Sequence, residues 1–220
     1  MPALSIVSVL KWGVVAVGLV ALVALLVLFV VTRIENQQVR DNAVRLQSGS
    51  APEASGTDVA VVYFSRSGNT AIAAQHIAQR MGARLLPIQA PDYEPGLPGI
   101  TAALRDARNH DARISPRTTE LQGVKTVYLG SPIWLYSPAP PIWAFAASNR
   151  FDGQDVVLFN TFNSKFEQRF IDEFRELVMG QGARSFHHVF VQRGRMGNQI
   201  STNALLQQLD ETWHLTPRSP

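Results

Sequence analysis

The chain has 220 residues, 46% of them apolar, so it can bury the core of one ordinary domain and still carry an extra segment. It contains no cysteine, which excludes disulfides, thiolate metal sites and a cysteine nucleophile. The formal net charge is +3, but the basic residues are mostly Arg and scattered, so the sequence makes no case for a nucleic-acid partner.

The first feature in chain order is an uncharged run from Trp12 to Thr32, WGVVAVGLVALVALLVLFVVT, closed off by Lys11 and Arg33. At ~1.5 Å per helical residue it spans roughly 30 Å, the hydrocarbon thickness of a bilayer. It is apolar on every face, and Trp12 stands at one end, where an indole favours the headgroup region. A secretory signal has a shorter apolar stretch with small residues at a cleavage site just beyond it, whereas TRIENQQVR follows here. Residues 1–33 are therefore expected to be a single-pass membrane anchor with a short flank. Arg33, Arg40 and Arg45 follow the span and Lys11 precedes it, so the positive-inside tendency puts the following domain in the cytoplasm.

Residues 34–58 are expected to be a stalk and linker. RIENQQVRDNAVRL, Arg33 to Leu46, continues as helix or as a solvated stalk, and the sequence leaves both open. QSGSAPEASGTD, Gln47 to Asp58, has the composition of a flexible tether.

From Val59 onward, short apolar runs alternate with helical patterns. VAVVYF, Val59 to Phe64, is apolar at every position, as a strand covered on both faces should be. A helix follows to Met81, with Gly82 as its stop. RLLPI gives a second strand at Arg84–Ile88, and a proline-rich connection leads to a helix over ITAALRDARNHDAR. KTVYLGS, Lys125 to Ser131, is the third strand, IWAFAASNRF a short helix, and DVVLFNT, Asp155 to Thr161, the fourth strand. Phe166, Phe170, Phe174 and Leu177 recur at helical spacing in the next helix. SFHHVFVQRG is the fifth strand and STNALLQQLDETWHL the closing helix, with Ser201 as N-cap. This order predicts an α/β fold, a parallel sheet with helices on both faces. Such sheets bind ligands at the carboxyl ends of their strands.

SRSGNT, Ser65 to Thr70, lies at such an end and opens a helix. Helix N-termini carry unpaired N–H groups and partial positive charge, which suit a phosphate. Ser65, Ser67 and Thr70 add hydroxyl donors, Gly68 permits a tight backbone, and Asn69 can brace the turn. The loop has no Lys and no G-x-G-x-x-G, so it is neither of the common nucleotide loops. The alternative is that its polar residues merely cap a helix. After the third strand, LGSPIWLYSPAPPIWAF places Trp134 and Tyr136 in a proline-rich loop, where aromatics can lie against a flat ring. Trp143 and Tyr63 are expected in the core. His187 and His188 are neighbours on a strand, face opposite ways and do not share a metal. FSRSGN lacks the first glycine of a serine-hydrolase elbow. RGRMGNQIS, Arg193 to Ser201, offers two arginines to an anion such as a nicotinamide nucleotide phosphate, but reads more simply as an exposed loop.

Strand, SRSGNT, helix resembles the first loop of the flavodoxin family, whose pattern is Thr/Ser-x-Thr/Ser-Gly-Asn-Thr; GSPIW resembles the second loop of flavodoxins and their quinone-reductase relatives. The resemblance implies a five-stranded doubly wound sheet of order 2-1-3-4-5 over residues 59–220, with FMN as cofactor. It implies that Ser65, Arg66, Ser67, Gly68, Asn69 and Thr70 wrap the phosphate. Pro132, Ile133, Trp134, Leu135 and Tyr136 would border the ring, and Thr161, Phe162 and Asn163 would meet its edge. NTFNSKF, Asn160 to Phe166, departs from the Gly-rich acidic third loop of the family. Sixteen Lys and Arg against fourteen Asp and Glu from Asp58 onward also depart from its acidic carriers. The implied function is a membrane-tethered redox protein, serving a membrane redox partner or moving electrons from NAD(P)H to a quinone. The alternative is a binding module of the same fold that has lost FMN.

Overall fold

A computed structural model describes residues 6–48, 58–194 and 198–213. The chain begins with one unbroken helix, α1, Ile6–Ser48. Its apolar part is exposed along its length and is long and apolar enough to cross a membrane. The helical reading of Arg33–Leu46 is the one adopted, and helix extends into the expected tether as far as Ser48. The rest of that tether, residues 49–57, lies outside the described residues.

The sheet is built from β1 (Val59–Phe64), β2 (Arg84–Ile88), β3 (Thr126–Trp134), β5 (Asp155–Phe162) and β6 (Ser185–Gln192), in the order β2-β1-β3-β5-β6, all parallel. The two-residue β4 (Ser137–Pro138) pairs antiparallel with the end of β3. Setting β4 aside, the order is 2-1-3-4-5. Near-continuous apolar sequence in β1 is explained by burial on both sides. Val62 and Phe64 join one cluster with Trp143, Phe145 and Phe174, and Val59 and Val61 join another with Ile77, Leu205 and Leu209.

The helices divide between these layers. α2 (Asn69–Met81) and α6 (Thr202–Trp213) cover one face; α4 (Pro140–Ser148) and α5 (Gln168–Gly180) cover the other, where Ala103 of α3 (Leu97–Asp106) joins the same cluster. The Asp210 carboxylate ties α6 to α2 by meeting His76 at 2.8 Å and Arg80 at 2.5 Å. Ser201 caps α6, its hydroxyl accepting from the Ala204 N–H at 3.1 Å. Trp143 is core, its indole N–H donating to the Pro138 carbonyl at 3.0 Å. At Gly130 of β3 a Cβ would stand 2.1 Å from the Phe159 ring, so the glycine lets β5 lay an aromatic across its neighbour.

Two expectations are corrected. The third helix runs over Leu97–Asp106 rather than residues 100–113, because Pro98 is favourable in a first helical turn and starts it early. The proline-rich loop after the third strand is instead a hairpin. β3 continues to Trp134, and Ile133 and Trp134 pair with Pro138 and Ser137 across a two-residue turn.

Candidate functional site

The carboxyl ends of β1, β3 and β5 surround a cavity of about 110 Å³. It has room for a tetrahedral anion. Its walls include Ser65, Arg66, Ser67, Asn69 and Thr70 after β1, Pro132, Ile133 and Trp134 from β3, and Thr161, Phe162 and Asn163 from the end of β5. Residues almost one hundred positions apart are thus brought to one place. The Thr70 and Thr161 hydroxyls share a hydrogen bond of 2.8 Å in the cavity wall.

The loop after β1 keeps its helix end open. Gly68 is the N-cap of α2 with φ +91°, and no side chain caps the helix. The Ser65 hydroxyl accepts from the Gly68 N–H at 3.1 Å, which folds the loop back on itself. The first-turn N–H groups of α2 therefore face the cavity region without a side-chain cap, the arrangement that suits an anion.

Three expected site residues stand off the cavity wall. Gly68 is the hinge of the loop rather than its lining. Leu135 and Tyr136 form the turn between β3 and β4, with φ +41° and +77°. Positive φ at both central positions is the signature of a type I′ hairpin turn, which favours Asn and Gly. Leu and Tyr there are strained. Leu135 is exposed, and Tyr136 is turned to Lys165, whose ammonium lies 5.0 Å from the ring centroid. Trp134, by contrast, is braced edge-to-face by Phe64 at 5.6 Å and Tyr93 at 5.2 Å.

Two wall residues escaped the sequence reading. Arg193, read there as part of an exposed loop, is 6% exposed and reaches the Ile200 carbonyl and the Thr202 hydroxyl. Glu35 of α1 is fully buried and pairs with both terminal nitrogens of Arg66. Arg66 also donates to the carbonyls of Glu94 at 3.4 Å and Gly96 at 3.2 Å. Burial pulls both guanidinium groups below their ordinary range, with Arg45 adding repulsion at Arg193. The Nε atoms of Arg66 and Arg193 are buried without a hydrogen-bond partner among the described residues. Unsatisfied N–H donors on two cations beside an uncapped helix call for an oxyanion.

α1 continues along this loop. The Asn42 amide donates to the Ser67 carbonyl at 2.7 Å and to the Asn69 side-chain oxygen at 3.2 Å. Gln38 donates to the same Asn69 oxygen at 3.1 Å and to Gln199 at 2.7 Å. A Cβ on Gly68 would come within 2.6 Å of the Asn42 Cβ, so helix and loop are in close contact.

The comparisons with known proteins agree with this architecture. A family model described as Flavodoxin matches residues 58–211, more than half of the chain. A protein described as a flavoprotein, from Bacteroides uniformis ATCC 8492, superimposes with a TM-score of 0.53 at 20% identity, over 71% of this chain and 99% of its own. A flavoprotein from Lactobacillus acidophilus NCFM, solved in complex with FMN, gives 0.50 at 18% identity, over 59% and 91%. A third, from Bacteroides eggerthii DSM 20697, gives 0.50 at 19% identity, over 70% and 96%. At these identities the structures show a shared fold. A search of curated proteins found no match.

Proposed function

Because the chain belongs to the flavodoxin family, we propose that it is a membrane-tethered, FMN-binding redox protein with its globular domain in the cytoplasm. In this reading it passes electrons to a membrane redox partner, or from NAD(P)H to a quinone-like acceptor. The observation that carries it is that two arginines with orphaned Nε atoms line one cavity with the uncapped start of α2. The residues present fit a phosphate tail, and the Lactobacillus flavoprotein of like fold holds FMN.

Ser65, Ser67, Asn69 and Thr70 would hold the phosphate with Arg66 and Arg193; Pro132, Ile133, Trp134 and Phe162 would border the ring. When bound, FMN supplies the chemistry, accepting electrons in pairs and releasing them singly or in pairs. The chain's own part is to bind, orient and exclude water. Apolar Trp134 and Phe162 disfavour charge beside the ring, and Tyr93 and Phe64 hold Trp134 in place. The membrane assignment rests on the apolar length of α1, and the orientation on Arg33, Arg40 and Arg45 beyond it.

Purification of the full chain in detergent is the test. A yellow protein with one FMN per chain is expected, and a colourless one that FMN leaves unchanged overturns the reading. Bleaching by NADPH then separates a reductase from a carrier. One observation favours the second reading, a module that has lost FMN: the Glu35 carboxylate occupies Arg66 in the wall of the anion cavity.

A further inference from the structure

We infer that the polar half of α1 fixes the mouth of the cofactor site at the membrane surface, so that its acceptor is a quinone dissolved in the lipid. The inference rests on the redox reading above and narrows its substrate class.

α1 is one helix across the junction between its apolar and polar parts, and the Thr32 hydroxyl is bonded back to the Leu28 carbonyl at 2.8 Å. Beyond Thr32, Glu35, Gln38, Asn42 and Leu46 recur at helical spacing and share one face. All four touch the domain, and their partners are ordered. Glu35 meets Arg66 in the loop after β1, Gln38 and Asn42 meet Ser67 and Asn69, and the Leu46 carbonyl accepts from Gln75 well along α2. α1 therefore runs down the flank of α2 from its amino end. The carboxyl edge of the sheet, where the cavity lies, is turned back toward the apolar segment.

Glu35 lines the cavity and lies three residues beyond Thr32, a rise of about 4.5 Å. The headgroup layer outside the hydrocarbon is about 5–8 Å deep on each side. The cavity thus sits at headgroup level. Buried Glu35, paired with Arg66 and also 3.4 Å from the Gly96 N–H, resists swinging away. An acceptor already concentrated in the bilayer reaches this height by lateral diffusion, whereas a soluble protein would have to enter the interface. The step is balanced by its named reactants: two electrons and two protons pass from the reduced cofactor to the carbonyl oxygens of the quinone, giving a hydroquinone.

The full chain, with FMN bound, is placed in phosphatidylcholine nanodiscs and photoreduced. Its reoxidation by a long-chain quinone in the lipid and by a short-chain water-soluble quinone is then followed. A seven-residue helical insertion between Thr32 and Arg33 keeps the docking face within about 20° and lifts the domain by about 10 Å. We expect the long-chain rate to fall about tenfold or more, through lost effective concentration, with the short-chain rate unchanged. An undiminished long-chain rate overturns the inference. Absence of bound FMN in the native chain, or failure with the short-chain quinone, speaks instead against the redox reading. If the inserted chain loses FMN, quenching of native flavin fluorescence by headgroup spin-labelled lipid decides: no quenching overturns the inference.

Discussion

Glu35 is where the charge balance of the site is set. Its carboxylate is fully buried against Arg66, one of the two arginines that a phosphate tail would use, so it occupies Arg66 and would repel the tail. Glu35→Gln should therefore tighten FMN relative to riboflavin by about tenfold, ~1.4 kcal/mol, as read by fluorescence titration. An unchanged ratio would place the phosphate elsewhere. His188 is the second residue with a measurable signature. It is bonded to the Asn160 side-chain oxygen at 2.9 Å, and burial pushes its pKa down to about 4. The unfolded chain, with a pKa near ~6.5, binds the proton that the folded chain refuses. This contribution to stability, up to about 3 kcal/mol, is complete above the unfolded pKa and lost as pH falls toward 4. His188→Gln should flatten denaturation midpoints across that window; an unaltered slope would contradict the burial. That the loop after β1 lines the cavity was legible because SRSGNT sits at one strand end, whereas the places of Glu35 and Arg193 were not. Their partners are defined by tertiary contact, and neither residue carries a local spacing signal.

At the scale of elements, strands and helices followed from apolar runs and helical periodicity because both faces of the sheet are covered. The β3–β4 hairpin did not, since its turn holds Leu135 and Tyr136 where Asn and Gly would announce it. The strain has a structural consequence: the turn carries Trp134 on its first strand against Phe64 and Tyr93, at the cavity wall. Leu135→Asn with Tyr136→Gly should relieve the positive-φ penalty. A stabilisation of about 1 kcal/mol is expected, even after loss of the Lys165 contact to Tyr136. A lower denaturation midpoint in the double variant would mean that the two side chains contribute more than the turn costs them.

For the whole molecule, the sequence separated anchor, stalk and domain, and the structure joins stalk to domain. Gln38, Asn42 and Leu46 form a mixed stripe with no strong amphipathic signal, and their contacts fall on a loop and helix beyond the Gln47–Asp58 segment. What looked like a spacer is thus a wall of the candidate site. The account stands on a dianionic cofactor tail held between Arg66, Arg193 and the start of α2. Phosphorus NMR of the full chain with FMN tests this most directly, because a free phosphomonoester titrates near pH ~6. A bound resonance displaced from free FMN and flat through that range is expected. A signal that superimposes on free FMN at every pH would contradict the account.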